Sequence, residues 1–337
     1  MKTVLLFIFG GLLPVLGLPQ SVQRPETVPL QQAKNFLLPD KAVSAEQQAN
    51  SWAFETRENP QNANAWLNYA LWTQRNTRLS ATQKLARLKE IGNAATQNIP
   101  ATAEMDIIRF LESGKTDSAA IASAMSKNID RGLVYPLAIQ NAIIRQDRKS
   151  LTLYCNAYQG WSAVNTQSAF YRYHANVLRS APDSAIIAAM GENDLVPMAI
   201  LQQVLNMRPD VRLVYYSPTV IEQYKNVYLC LSLGETVLQQ YKDASFCGLL
   251  LNISGKKVEG NPGNILPAGI DLDYLQTGNF DLQTAQLNNN YLPALLLAYR
   301  YHKKNGSAEA ERYKQLIIKI AREGGKENTI LPLLGKE

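Results

Sequence analysis

One short polar run, Gly191-Glu192-Asn193-Asp194, combines residue types that bind hydroxyl-rich ligands. Carboxylates accept hydrogen bonds from hydroxyl groups and a carboxamide both accepts and donates, so neighbouring hydroxyls of a sugar suit this run. The glycine lets the backbone approach a ligand closely. A ring from Tyr215 or Tyr216 could stack on a sugar face, and Arg208 follows the same region. The predicted ligand-binding residues are Gly191, Glu192, Asn193, Asp194, Arg208 and Tyr216, with a saccharide as the ligand.

Two other interpretations of this run stay open. Asn193 or Asp194 could simply cap a following helix, with Gly191 forming the turn. Glu192 and Asp194 also match general acid–base chemistry, but the sequence fixes neither their separation nor their pKa values. The chain contains no Walker loop, zinc-protease motif or dinucleotide fingerprint. We therefore assign no catalytic residue, metal ligand or cofactor, and we do not expect an enzyme.

The elements that would position this run form a small α/β unit over residues 182–258. Predicted strands cover 184–189, 211–216, 227–231 and 248–253, with helical stretches between them. Pro209 ends one helix because the residue before proline is pushed out of the helical region, and Ser217-Pro218 begins another. This alternation predicts a short parallel sheet of about four strands. Its first strand would end at Gly191, and parallel sheets bind ligands at the carboxyl ends of their strands.

Both flanks of this unit are predicted to be helical, over 30–181 and 288–337, with a loop-rich excursion at 259–287. The clearest start of a helical hairpin is Asn59-Pro60, followed by Trp66, Tyr69 and Ala70. This pattern is typical of a tetratricopeptide-like repeat. Further helices are predicted over 81–95, 103–112, 118–125, 136–145 and 168–178. The fold class is therefore mainly α with a small α/β unit, and stacked hairpins would form a groove for a peptide or partner helix. Helical hairpins without true repeats are the alternative.

The N-terminus predicts export. Lys2 precedes an apolar run from Val4 to Leu16 that suits a signal-peptide core and is too short to span a bilayer. Cleavage is predicted after Gly17, which gives a signal peptide over 1–17 and a periplasmic location; an uncleaved anchor helix is the alternative. Export permits a disulfide between Cys230 and Cys247, although buried cysteines usually remain free.

The net charge of the chain limits the classes of partner that are expected. The chain has 34 Lys and Arg against 28 Asp and Glu, a net charge of +6. This density is below that of a dedicated nucleic-acid binder, so nucleic acid is not an expected partner. Basic residues gather near the C-terminus, which allows at most a peripheral contact with a membrane.

Several stretches of the α/β region occur in the order in which a known family has them. They are Gly191-x-Asn193-Asp194-x-x-Pro197, Leu201-Gln202-x-Val204, Arg208-Pro209-Asp210-Val211-Arg212-x-Val214, and Val227-Tyr228-Leu229 followed by Gly248-Leu249. The region resembles the soluble C-terminal part of bacterial polytopic membrane proteins of unassigned function, which are grouped with the protein O-mannosyltransferase-like glycosyltransferases. The resemblance covers about 183–254 and extends to the helices from 288 onward.

The resemblance implies an envelope setting and a glycan or glycoprotein context. It would place a shared ligand loop on Gly191, Asn193 and Asp194. This chain departs from the family at Glu192, where members tend to have a second Asp, and at Cys247, where they tend to have Glu. The family's membrane part and its residues for a lipid-linked sugar donor have no counterpart here, so no transferase activity is inferred.

The expectation is an exported, non-enzymatic interaction or scaffold protein of the bacterial cell envelope, whose helical hairpins bind a protein partner. The alternative is a saccharide-binding accessory of envelope glycan or glycoprotein assembly that uses the Gly191–Asp194 loop.

Overall fold

The computed structural model describes residues 28–33, 44–254, 265–267 and 269–335. The predicted signal peptide lies outside these residues, as does the beginning of the predicted excursion. The protein is mainly helical with one small sheet. Within the described residues, we find no helix that is both long and apolar enough to cross a bilayer.

The N-terminal half is a succession of helices joined by short turns. They are α1 (Ala45–Glu58), α2 (Ala63–Arg75), α3 (Ala81–Asn98), α4 (Ala103–Glu112), α5 (Ser118–Ser126), α6 (Arg131–Ile144), α7 (Arg148–Ser162) and α8 (Ala169–Ser180). From α1 to α7, each helix packs against the next along the chain. Ser44 and Ser80 begin α1 and α3 with capping boxes, in which side chains satisfy otherwise unpaired backbone N–H groups. The helical character of this half is confirmed, whereas tetratricopeptide-like repetition stays a prediction.

The sheet follows these helices and has the strand order β2-β1-β3-β5-β4. Its strands are β1 (Ile186–Ala189), β2 (Arg212–Tyr215), β3 (Val227–Cys230), β4 (Ser245–Cys247) and β5 (Leu250–Asn252). Helix α9 (Glu192–Leu205) joins β1 to β2, and the short helices α10 (Pro218–Ile221) and α11 (Glu235–Leu238) follow β2 and β3. Ser217 caps α10 as predicted.

The prediction of a purely parallel sheet is wrong. The strands β1, β2 and β3 are parallel, but β5 pairs antiparallel with β3, and β4 pairs antiparallel with β5. The physical reason is the connection between β4 and β5, because a two-residue link allows only an antiparallel hairpin, whereas a parallel pair needs a long crossover. The sheet is therefore mixed and has five strands.

The C-terminal part returns to helices that pack against the sheet and α8. They are α12 (Asp273–Thr277), α13 (Leu282–Asn288), α14 (Leu292–Lys304), α15 (Glu309–Glu323) and α16 (Glu327–Leu334). The pair α14 and α15 forms the predicted C-terminal hairpin, and Leu295, Ala298, Ile317 and Ile320 are buried along it.

Helix α6 is shared by the two largest hydrophobic cores. Its first half contributes Val134 and Leu137 to a core made with α1–α5, and its second half contributes Ile139 and Ile143 to a core made with the sheet and the C-terminal helices. The second core draws residues from both sides of the predicted domain boundary at 181. The helical layers and the α/β unit are thus packed against opposite ends of one buried helix.

Cys155, Cys230 and Cys247 are free and buried. Cys230 lies on β3 and Cys247 on β4, and β5 separates these two strands. Two strand spacings are about 9–10 Å, which exceeds the ~7 Å limit between the Cα atoms of a disulfide. Burial also raises the pKa of the Cys155 thiol to about 12.

We predict that the native protein resists thiol reagents near neutral pH, because burial keeps all three thiols protonated and inaccessible. After denaturation without reductant, a thiol-counting assay should detect three thiols per chain. Detection of a single thiol under those conditions would mean that Cys230 and Cys247 are paired.

Candidate functional site

The predicted loop lies at the carboxyl end of β1, as expected for a ligand-binding position of a parallel sheet. Gly191 is the N-cap of α9 and has φ +82°, a conformation that favours glycine. Asn193 and Asp194 therefore lie inside the first turn of α9 instead of capping it. The helix-cap interpretation assigned the wrong residues, since the glycine itself occupies the cap position.

Glu192 turns toward the N-terminal helices. Its carboxylate lies 3.8 Å from a guanidinium nitrogen of Arg75 at the end of α2, and it accepts a hydrogen bond of 3.4 Å from the amide of Gln140 on α6. Burial lowers the pKa of Arg75, while Glu192 acts in the opposite direction. The buried ammonium group of Lys115 donates to Gln140 at 2.8 Å and lies over the ring of Tyr215. We call Arg75, Lys115, Gln140 and Glu192 the polar joint, because they connect α2, α6 and the α4–α5 turn to α9.

Asp194 turns the other way, toward the interior of the α/β unit. It accepts a hydrogen bond of 2.7 Å from the hydroxyl of Ser232, which follows β3. Its second oxygen lies 3.7 Å from Nε2 of His174 on α8. His174 is packed and hydrogen-bonded, since its ring is fully buried and Nδ1 pairs with the carbonyl of Phe170 at 2.8 Å. Asp194 thus links α8, α9 and the end of β3.

The loops after β1 and β3 meet where the sheet topology reverses. The chain leaves β1 toward β2 on one side, whereas it leaves β3 toward β4 and β5 on the other. Such a switch point is where open α/β sheets bind ligands. Both loops carry a glycine with positive φ before a glutamate, Gly191-Glu192 and Gly234-Glu235. This repeated dipeptide was the signal in the sequence that could have located Ser232, which the sequence prediction missed.

Tyr216 reaches the same edge of the sheet but turns its ring away from the loop. Its backbone N–H donates to the carbonyl of Ala189 at 2.8 Å, directly after β2. The ring packs in a separate core on the opposite face of the sheet, where its hydroxyl lies 3.3 Å from that of Tyr241. Burial raises the pKa of the Tyr216 hydroxyl. The predicted stacking surface therefore belongs to the core.

Arg208 lies at the opposite, amino-terminal edge of the sheet. Its guanidinium donates to the carbonyls of Ala181 and Pro182 at 2.6 and 2.9 Å and pairs with Asp210 at 2.8 Å. These contacts join the end of α8 to the segment before β2. The structure brings Gly191, Glu192, Asn193 and Asp194 together, but it places Arg208 among structural contacts away from them.

The order of these groups does not support acyl-transfer chemistry. In a hydrolytic triad the histidine lies between the nucleophile and the carboxylate. Here the carboxylate of Asp194 lies between Ser232 and His174, so the hydroxyl of Ser232 donates to a carboxylate and not to an imidazole. The arrangement connects three elements and holds a buried charge.

A different surface offers a cavity of about 410 Å³ between α1, α2 and α3. We call it the α1–α3 groove. Its lining residues are Glu46, Ala49, Asn50, Ala53, Phe54, Arg57, Tyr69, Thr73, Asn76, Leu79 and Arg87. The lining mixes apolar side chains with amides and cations, a combination that suits a polypeptide segment. The sequence prediction of a groove between helical hairpins did not identify these residues.

In the part of the chain that the structure describes, His, Cys, Asp and Glu residues form no group of three or more with metal-binding geometry. No protein family, curated protein or solved structure matches this chain.

We predict that Asp194→Ala lowers the free energy of unfolding by about 1–3 kcal/mol, because it leaves the hydroxyl of Ser232 without its acceptor. Denaturant unfolding measures the effect. Glu235→Ala is the matched control, since it removes an exposed carboxylate at the same edge and should change stability by no more than about 0.5 kcal/mol. Equal effects of the two substitutions would contradict the structural role of Asp194.

A second prediction concerns Asp210, whose pKa the hydrogen bonds from Arg208 hold well below its usual range. A carboxyl whose pKa is lower in the folded state adds stability above its unfolded pKa of about 3.9, and this stability is lost as the pH falls through the folded value. Asp210→Asn should therefore be less stable than the wild type near neutral pH, by about 1 kcal/mol or less because the group is partly exposed. The difference should shrink below about pH 4.

Thermal unfolding across this pH range tests the prediction. Asp183→Asn is the control, since Asp183 lies 3.6 Å from the same guanidinium but is fully exposed. A stability difference for Asp210→Asn that does not change with pH would contradict the assignment.

Proposed function

We propose that this chain is an exported, non-enzymatic interaction protein of the bacterial cell envelope that binds a segment of a partner protein in the α1–α3 groove. The groove is the observation that carries this proposal. It is a concave surface between neighbouring helices, of the kind that helical arrays use for binding.

One face of α1 forms the first wall of the groove. Asn50, Ala53, Phe54 and Arg57 are spaced three, four and seven residues from Asn50, so they lie on the same side of the helix. The opposite wall comes from α2, the following turn and α3. The small residues Ala49 and Ala53 on α1 leave room for a chain between the walls, and the amides of Asn50 and Asn76 can form hydrogen bonds with it.

The polar residues at the carboxyl edge of the sheet mainly form contacts within the protein. Glu192 and Asp194 both form contacts within the protein, with Arg75 and Gln140 in one case and with Ser232 in the other. Residues with internal partners must give up these contacts to bind a ligand. This favours the α1–α3 groove over the loop as the main binding surface.

The location is part of the proposal. The signal-peptide pattern of the first 17 residues and the resemblance of the α/β region support an envelope setting.

Site-specific photocrosslinking tests the proposal. A photoreactive phenylalanine analogue at Phe54 should crosslink a partner protein in cells, and mass spectrometry should map the crosslink to one segment of that partner. The same analogue at Leu153, which is exposed on α7, is the control and should not capture this segment.

Occlusion of the groove provides a second readout. Ala53→Trp should abolish the crosslink because the indole fills the cavity, whereas Leu153→Trp should leave it unchanged. Crosslinks from the Leu153 position alone, or an undiminished crosslink in the Ala53→Trp protein, would contradict the proposal.

The switch point favours a second candidate, saccharide binding at the Gly191–Asp194 loop. The loops after β1 and β3 lie side by side there, and exposed Glu235 could accept from a hydroxyl. We expect weak binding of mannose-containing oligosaccharides, observable by saturation-transfer NMR and reduced by Glu235→Gln together with Asn193→Ala. Equal signals from the wild type and the double variant would contradict this candidate.

A further inference from the structure

The chemistry of the α1–α3 groove indicates the kind of segment that it accepts. This inference rests on the proposed function, because it concerns the same surface. It depends on three features of the groove, namely its amides, its cations and the tyrosine between them.

The amides favour an extended chain over a helix. Asn50 is exposed on one wall, whereas Asn76 on the other wall is largely buried and lines the cavity. The amide oxygen of Asn76 already accepts from the backbone N–H of Arg78 at 3.0 Å, which leaves its amide nitrogen as a donor. An extended chain presents backbone N–H and C=O groups to such amides, whereas a helix satisfies these groups internally.

The available charge in the groove is positive. The carboxylate of Glu46 is already paired with Arg78 at 2.5 Å. Arg57 is exposed and forms no ion pair with any carboxylate within the described ranges. Arg87 projects from α3 on the opposite wall, and among the described residues its ion pair is an exposed one with Glu90 at 3.2 Å. Exposed pairs of this kind are weak, so both guanidinium groups can bind a carboxylate of a ligand.

Tyr69 lines the groove together with these two cations. Burial raises the pKa of its hydroxyl, while the charges of Arg87 and Arg57 act in the opposite direction. Tyr69 lies on α2, which packs between α1 with Arg57 and α3 with Arg87, so a ligand in the groove can reach all three side chains. A carboxylate between them would accept charge-assisted hydrogen bonds from both and a further bond from the phenol.

We propose that the α1–α3 groove binds an extended, acidic segment of its partner, with one carboxylate held between Arg57 and Arg87 beside Tyr69. Asn50 and Asn76 bind the backbone of this segment on either side of the carboxylate, and Phe54 and Leu79 contact its apolar side chains.

Fluorescence anisotropy with the purified full chain tests this specificity. The probe is a labelled octapeptide of alternating Glu and Val, which disfavours a helix, and the comparison peptide has Gln in place of every Glu. We expect the Glu peptide to bind at least about tenfold more tightly than the Gln peptide, since hydrogen bonds to charged groups are the stronger ones.

Substitutions identify the residues that recognise the acid. Arg57→Gln and Arg87→Gln should each raise the Kd of the Glu peptide about tenfold and leave that of the Gln peptide nearly unchanged. Lys149→Gln is the matched control, because it removes one exposed positive charge from the start of α7. Thermal unfolding of each variant verifies that it is folded.

The outcomes separate the two levels of the proposal. Equal binding of both peptides, or equal losses in Lys149→Gln and in the groove variants, would overturn the acidic specificity. If Ala53→Trp also removes the crosslink at position 54 while Arg57→Gln and Arg87→Gln do not affect it, the groove remains the partner site and only its acid recognition is wrong. An unaffected crosslink in Ala53→Trp would instead overturn the proposed function.

Discussion

A largely buried contact between opposite charges joins the N-terminal helices of this protein to its α/β unit. Glu192 begins the helix after β1, and Arg75 ends the second helix of the N-terminal layers, so their 3.8 Å contact joins elements from separate parts of the fold. Gln140 completes the contact from α6, the helix that both large cores share. Buried charges are costly unless they are paired and hydrogen-bonded. This requirement fixes how the N-terminal helices lie against the α/β unit.

The same requirement separates the binding surface from the edge of the sheet. In many α/β proteins the carboxyl ends of the strands supply ligand-binding groups. Here Glu192 and Asp194 contact Arg75 and Ser232 instead, so the polar residues at this edge stabilise the fold. The α1–α3 groove is lined by other residues and retains the exposed amide of Asn50 and the exposed cations of Arg57 and Arg87. Its exposed Arg57 and Arg87 give the proposed partner segment its acidic character.

The sequence predicted elements well where the signal is local. The helix end before Pro209, the helix start at Ser217-Pro218 and the strands β1 to β3 follow from neighbouring residues. The predicted strand over 248–253 contains β5, but β4 and its hairpin with β5 were missed because β4 has only three residues. The site was predicted only in part for a different reason. Ser232, His174 and Asp194 meet across three elements, and no local pattern shows that Arg208 faces the amino-terminal edge.

A double-mutant cycle on Arg75 and Glu192 tests the central claim, that the polar joint fastens the helical layers to the α/β unit. The free energy of unfolding would be measured for Arg75→Met, Glu192→Gln and the double variant. We predict a coupling energy of about 1 kcal/mol or more, because each substitution removes the opposite charge from beside a largely buried one. Additive effects within about 0.3–0.5 kcal/mol would show that the two residues act independently, which would contradict the joint as the basis of the architecture.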